Sequence, residues 1–229
     1  MNLTDLIGRV AQWLTNEQAA QQRDLAKSGQ AAIDTAGTLW HSDIFDPRRT
    51  DHSIRAESSR KAIDSFIHEG LGWTWEPPYA GDGDFEWCGA FAAYCWSAIK
   101  PELRKTYFAS TYRLDRYARY QSVNGEKNSG KGRLIADLDE HSLSVPWEPH
   151  AGDILLIGPP GSGYGKHICL VESYNWNGKT KVFRTIEGNG TGRGPDGKQR
   201  QGVVCGERHL GGNGWHARRL IRPSVEDLI

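Results

Sequence analysis

Residues 150–174 read HAGDILLIGPPGSGYGKHICLVESY, and this stretch decides the fold. Two short apolar runs, 153–157 and 167–174, flank a turn made of Pro and Gly, which is the pattern of two strands joined by a hairpin. Three more runs of the same kind follow at 181–187, 203–210 and 215–221. The second half of the chain therefore predicts an antiparallel sheet of about five strands.

The first half of the chain has helical patterns. Apolar residues at 3, 6, 7, 10, 13 and 14 predict a helix over about 3–25, and shorter helices are predicted at 54–69, 88–99 and 111–121. In the second helix, Ile63, Phe66 and Ile67 are expected to face inward and Gly70 to end the helix. Helices followed by strands predict an α+β fold in which the N-terminal helices pack on the sheet.

The length of 229 residues suits one domain with an extension. We divide the chain into an N-terminal helical arm and linker, 1–52, and a domain at 53–229. Residues 28–51 show no periodicity and are interpreted as a linker or a strap across the surface. The arm either docks on its own domain or binds a partner protein.

The charges balance, with 28 Lys and Arg against 28 Asp and Glu, so no global field attracts nucleic acid or an anionic membrane surface. No apolar run is long enough to span a membrane, and no Sec signal is evident at the N-terminus. We expect synthesis in the cytoplasm, with release by lysis or by a specialised secretion system both open; the final location stays unassigned.

The four cysteines, Cys88, Cys95, Cys169 and Cys205, form no CxxC pair, and free thiols are the expected state. His167 and Cys169 are the closest pairing of metal-ligand types, but they lack a second ligand pair at suitable spacing. We expect no metal ion and no cofactor.

Cys88 is the candidate nucleophile. A thiol attacks as the thiolate, and the N–H groups at the start of a helix favour that form. Cys88 lies where the third helix should begin. Cys95 falls on the apolar stripe of that helix and is interpreted as a core residue. Position alone leaves a structural role for Cys88 open.

His167 begins a predicted strand and could face the helix that packs there, within the reach that a cysteine–histidine pair needs. A solvated histidine at a strand end is the simpler alternative. Residues 185–192, TIEGNGTG, offer Glu187 or Asn189 as the group that orients the histidine. Asn next to Gly also suits an ordinary turn.

The stretch 188–202 contains six glycines and follows the strand that carries Glu187. This composition is typical of a loop. We expect either a lid that borders the cleft and moves on substrate binding, or a disordered hairpin loop.

Taken together, EWCGAFAAYCW at 86–96, HAGDILLI at 150–157, GKHICLVES at 165–173 and IEGNG at 186–190 resemble the CHAP family of cysteine- and histidine-dependent amidohydrolases and peptidases, within the papain-like superfamily. The resemblance covers about 55–223. It implies that Cys88 attacks an amide carbonyl, that His167 transfers the proton and that Glu187 orients His167. Asn189 would have a polarising or positioning role at the site.

Two departures from the family pattern stand out. Lys166 separates Gly165 from His167, where the family often has Gly and His adjacent, and 124–149 looks like an insertion between the cysteine and the histidine. The shape of the cleft can therefore differ from that of the family.

The resemblance implies cleavage of amide bonds in bacterial peptidoglycan, as an N-acetylmuramoyl-L-alanine amidase or an endopeptidase, in a phage lysin, an autolysin or an antibacterial effector. The expected partners are peptidoglycan or its stem peptides, and an immunity protein or a partner of the N-terminal helix. Nucleic acid is not expected as a partner. The alternatives are a cysteine protease, amidase or acyltransferase with a non-peptidoglycan substrate, such as the target of a toxin, and a non-catalytic binding module.

Overall fold

The structure is a computed structural model of the 229-residue chain. It describes residues 3–45, 54–73, 86–97, 108, 110–120, 122–123, 126–127, 133–138, 148–163, 165–176, 181–210 and 214–223. Most of the loop predicted at 72–84, Ile99 at the end of the predicted third helix, and much of 124–149 lie outside these residues.

Four α-helices lie in the described part of the chain: α1 Leu3–His41, α2 Ile54–Ser65, α3 Cys88–Ser97 and α4 Thr111–Tyr120. The predicted helices at 54–69, 88–99 and 111–121 correspond to α2, α3 and α4. None of the described helices combines the length and the apolar character that crossing a membrane requires.

Helix α1 is 39 residues long and includes residues 28–41, so the first part of the stretch 28–51, which was interpreted as a linker or a strap across the surface, is helical. Its buried residues recur at helical spacing, and most of them are small: Leu25, Gly29, Ala32, Ile33 and Ala36. Small side chains give a weak apolar signal, yet they let the helix approach its neighbours closely. Residues 14–17 are exposed, and Leu14 keeps 47% of its surface. The arm packs on α3 and on strands of the sheet, and residues 25–36 include its buried side chains.

Helix α2 continues into a π-helical turn, Phe66–Leu71, and Gly70 does not end it. The end is Gly72, whose φ of 69° is left-handed, a conformation that glycine adopts without steric cost. Gly70 is instead a packing residue, because a Cβ there would lie 2.6 Å from the backbone nitrogen of Tyr94. The predicted inward residues Ile63, Phe66 and Ile67 are buried.

The described strands form a six-stranded sheet in the order β3-β8-β4-β5-β6-β7 and a short pair, β1 with β2. All neighbouring pairs are antiparallel. The strands are β1 Ser122–Val123, β2 Glu126–Lys127, β3 Arg133–Asp137, β4 Ile154–Gly158, β5 His167–Trp176, β6 Lys181–Arg193, β7 Gln199–His209 and β8 His216–Arg222.

The five strands from β4 to β8 are those that the short apolar runs predict, and the α+β class is confirmed. Strand β3 is an addition at the edge of the sheet, in a stretch interpreted as an insertion. Both faces of the sheet carry buried side chains. Ile154, Ile168 and Ile186 pack with the helices, while Leu155, Cys169 and Phe183 belong to a second apolar cluster.

Strands β6 and β7 extend through the glycine-rich stretch 188–202, which was predicted as a loop. The end of this hairpin is attached to the end of α1 by a hydrogen bond from Trp40 Nε1 to the carbonyl oxygen of Arg193 (3.0 Å) and by an ion pair between Asp43 and Arg200. Phe45 adds a backbone bridge to Gly202. The hairpin is thus ordered and held by the N-terminal arm.

Candidate active site

Cys88 is the first residue of α3. This helix is buried on all sides, which is consistent with its apolar residues on every face. Of its ten residues, nine are buried. Gly89 makes close packing feasible at the start of the helix, since a Cβ there would lie 1.8 Å from the carbonyl oxygen of Phe108 and 3.1 Å from Cδ1 of Ile168. The sheet can therefore approach the N-terminus of α3 and bring its own side chains to Cys88.

His167 is the first residue of β5, where it pairs with Ile157 of β4. It is 8% exposed, and the neighbouring Cys88 is one of the groups that raise the pKa of its ring. The ring nitrogen Nε2 contacts Oε2 of Glu187 at 3.2 Å. A carboxylate only accepts hydrogen bonds, so Nε2 carries the proton in this contact and Nδ1 is left to take the proton of the thiol.

Glu187 lies on β6, and its side chain is fully buried. Among the described residues its carboxylate has three hydrogen-bond partners: His167, Thr185 and Arg208. Thr185 Oγ1 donates to Oε1 at 2.6 Å. Arg208 of β7 donates from Nε to Oε1 at 2.8 Å and from Nη2 to Oε2 at 2.6 Å. A buried carboxylate needs such compensation, because burial without partners costs several kcal/mol.

The charges of these groups support one another. Burial alone lowers the pKa of His167, but the neighbouring Cys88 and Glu187 outweigh it and raise the pKa to about 10. Burial alone raises the pKa of Glu187, but His167 and Arg208 lower it to about 2. At neutral pH the site therefore favours an imidazolium next to a carboxylate.

Asn189 lies two residues beyond Glu187 and donates a hydrogen bond from Nδ2 to Oε2 of Glu86. Its φ of 55° is left-handed. Gly188, between Glu187 and Asn189, lies so close to α3 that a Cβ on it would be 2.4 Å from Cβ of Phe91. The structure thus joins the segment before Cys88 to β6 through Glu86 and Asn189, and it is Glu187 that contacts His167.

Sequence reasoning missed Arg208, Thr185 and Glu86. A signal for Arg208 exists, because a glutamate inside an apolar strand requires a cation nearby, and arginine is the residue that matches a carboxylate with two parallel hydrogen bonds. The sequence does not indicate which arginine this is. Arg208 lies 21 residues beyond Glu187 in the chain, and only the pairing of β6 with β7 brings the two side chains together.

Burial affects the thiol groups of the other three cysteines. Burial raises the pKa of Cys95 and Cys169 well above the usual range, and burial together with Glu172 raises the pKa of Cys205 to about 11. Potential ligand atoms of His167, Cys169 and Glu187 lie within 4.8 Å of one another. Because Arg208 already binds both oxygens of Glu187, the negative charge of this cluster is balanced by a guanidinium group.

Comparisons with protein-family models, with curated proteins and with solved structures find no match for this chain. The chemistry available at the site follows from its own residues. A thiol at a helix start, a histidine that can take its proton, and a carboxylate that holds the histidine are the groups that nucleophilic catalysis through a covalent intermediate requires.

Proposed function

We propose that this chain is a cysteine hydrolase that cleaves amide bonds in bacterial peptidoglycan. The observation that carries the proposal is the grouping of Cys88, His167 and Glu187, in which the imidazole of His167 contacts the Glu187 carboxylate and the neighbouring Cys88 also raises its pKa. Each of the three comes from a different element, α3, β5 and β6, and the packing around Gly89 and Gly188 supports their approach.

The reaction begins with attack of the Cys88 thiolate on the amide carbonyl. The oxyanion that forms lies near the N-terminus of α3, where the backbone N–H of Cys88 would donate to it. His167 then gives its proton to the leaving nitrogen, the C–N bond breaks, and an acyl-thioester remains on Cys88. A water molecule, deprotonated by His167, hydrolyses the thioester and restores the thiol.

Glu187 serves this cycle by holding His167 in one orientation and by stabilising its positive charge. Arg208 and Thr185 act on Glu187 rather than on the substrate, so they are positioning residues. Asn189 and Glu86 position the segment that leads into Cys88.

The choice of peptidoglycan rests on the resemblance of residues 86–96, 150–157, 165–173 and 186–190 to the CHAP family. The two bonds it implies are the N-acetylmuramoyl-L-alanine amide and a peptide bond of the stem or cross-bridge. A lysin, an autolysin and an antibacterial effector would all use the same catalytic centre.

The test is release of soluble fragments from purified Gram-negative and Gram-positive peptidoglycan, with mass spectrometry of the products. Cys88→Ala removes the nucleophile, and Cys95→Ala is the matched control because it removes a thiol from the same helix. We expect fragments from the wild type and the control but not from Cys88→Ala. A free lactyl group in the products identifies the amidase, and a new peptide N-terminus identifies the endopeptidase.

A second measurement separates the catalytic centre from the substrate. Iodoacetamide at slightly acidic pH should alkylate Cys88 selectively in the wild type and much more slowly in His167→Ala, since a thiolate requires its cationic partner there. Rapid, His167-dependent alkylation without any released fragment would overturn peptidoglycan as substrate and favour a different amide. Slow alkylation that does not depend on His167 would overturn the hydrolase itself.

A further inference from the structure

A polar cavity of about 490 Å³ lies along strands β6 and β7, next to the catalytic carboxylate. Its described lining contains three arginines, Arg184, Arg193 and Arg208, and one carboxylate, Glu207. Thr191 and Gln199 add a hydroxyl group and an amide. Hydrogen-bond donors and positive charges thus predominate on its walls.

Two of the arginines already have a carboxylate partner. Arg184 Nε contacts Glu172 at 2.6 Å, and Arg208 binds Glu187 through Nε and Nη2. A guanidinium group has more N–H donors than these contacts use, so both arginines keep donors in reserve. Their positive charge, however, is largely balanced.

Arg193 differs from the other two. Its backbone oxygen accepts the hydrogen bond from Trp40, but its guanidinium group forms no ion pair with any residue in the described ranges. The side chains of Thr191 and Gln199 are likewise without a hydrogen-bond partner among the residues that the structure describes. An uncommitted cation and two uncommitted polar side chains therefore face one cavity.

We propose that this cavity is a binding site for an oxyanion group, a carboxylate or a phosphate, with Arg193 as its principal ligand. Planar guanidinium groups match both kinds of anion with paired, charge-assisted hydrogen bonds. Thr191 and Gln199 supply further contacts, and Arg184 and Arg208 supply N–H groups not used by their carboxylate partners. Glu207 favours a ligand that offers a donor beside its anionic group.

The cavity is connected to the catalytic residues through Arg208, which lines the cavity and also binds Glu187. The guanidinium group of Arg208 would thus lie between a bound anion and the Glu187 carboxylate that holds His167. The inference does not depend on hydrolase activity, because the binding site is defined by the cavity itself.

Cys205 lines the same cavity and provides a local probe. In the full chain with Cys88→Ala, it is the half-buried thiol, whereas Cys95 and Cys169 are buried. We would measure the rate of Cys205 alkylation by iodoacetamide at a pH of about 9, where a thiol of raised pKa reacts slowly but measurably. Inorganic phosphate and acetate are added separately, with sodium chloride keeping the ionic strength constant.

We expect saturable protection of Cys205 by at least one of the two anions, and the comparison between them distinguishes a phosphate site from a carboxylate site. Adding Arg193→Ala should weaken the apparent affinity by about tenfold, as expected for loss of a charge-assisted hydrogen bond. Arg113→Ala is the matched control, because Arg113 is an exposed arginine on α4 outside the cavity.

Isothermal titration calorimetry with the same anions gives a readout independent of thiol reactivity, and circular dichroism verifies that each variant is folded. Absence of saturable binding by both methods would overturn the proposal. Equal binding by the parent and by the folded Arg193→Ala variant would overturn it as well.

Discussion

Arg208 binds both carboxylate oxygens of Glu187, with distances of 2.8 and 2.6 Å, and so a residue of β7 anchors the group that holds His167. Glu187 is fully buried, while the Arg208 side chain is 18% exposed. The pair is therefore partly desolvated, and its effect on stability depends on whether both members are present.

Replacing Arg208 with Met should destabilise the fold by about 3–5 kcal/mol, because it leaves the buried charge of Glu187 without its main partner. The double variant Glu187→Gln, Arg208→Met should recover part of this loss, since no carboxylate charge then remains buried. Urea unfolding of the single and double variants measures the difference. A double variant less stable than Arg208→Met would contradict this account of the pair.

Acid should remove the contribution of Glu187 to stability. The folded-state pKa of Glu187 is lowered to about 2 from an ordinary value of 4.5, so its contribution is present above pH 4.5 and is lost as the pH falls through about 2. The stability difference between wild type and Glu187→Gln should shrink by up to about 3 kcal/mol over this interval. Thermal unfolding followed by circular dichroism at successive pH values measures it; a constant difference would speak against a charged Glu187.

Alkali should stop turnover by removing the proton of His167. With a pKa of about 10, His167 stays protonated at neutral pH and loses its proton as the pH rises through that value. We expect the alkaline limb of kcat/KM near pH 10 for the wild type. In Glu187→Gln the limb should move to lower pH, because one of the groups that raise the pKa is gone. An unmoved limb would show that Glu187 does not act on His167.

The contact between Asn189 and Glu86 can be tested with a double-mutant cycle on kcat/KM. Asn189→Gly is the suitable variant, since glycine adopts a φ of 55° without strain. If Asn189 acts through Glu86, then Asn189→Gly and Glu86→Ala should each lower kcat/KM by about tenfold, and the double variant should be no worse than either. A much larger loss in Asn189→Gly would indicate a direct role in the reaction.

Two glycines of α1 should respond oppositely to alanine. At Gly29 a Cβ would lie 2.1 Å from the carbonyl oxygen of Ala151, so Gly29→Ala should destabilise the fold by about 1–3 kcal/mol. At Gly37 the added Cβ would meet no atom of the described residues within 4 Å beyond its chain neighbours and the adjacent backbone of α1, so Gly37→Ala should stabilise the fold by up to about 1 kcal/mol through helix propensity. Urea unfolding of both variants tests whether the second half of α1 is docked; equal effects would argue that it is not.

Local patterns in the sequence were sufficient for much of the fold. The short apolar runs predicted β4 to β8, and the helical spacing of Ile63, Phe66 and Ile67 predicted the buried face at the end of α2. Local patterns were not sufficient where small residues form the packed face of a helix. Gly29, Ala32 and Ala36 give little hydrophobic signal, so the second half of α1 was interpreted as a linker or a strap. The local patterns also failed at 188–202, because glycines needed for close packing look like loop residues.

By itself, the sequence determined the α+β class and the positions of Cys88, His167, Glu187 and Asn189 along the chain, because helix starts and strand ends follow from short-range periodicity. Only the tertiary structure decided that Glu187 contacts His167, that Asn189 contacts Glu86, and that Arg208 anchors Glu187. Those contacts depend on strand register and on the close approach of α3 to the sheet. Register and approach arise from packing between residues far apart in the chain, which no local pattern encodes.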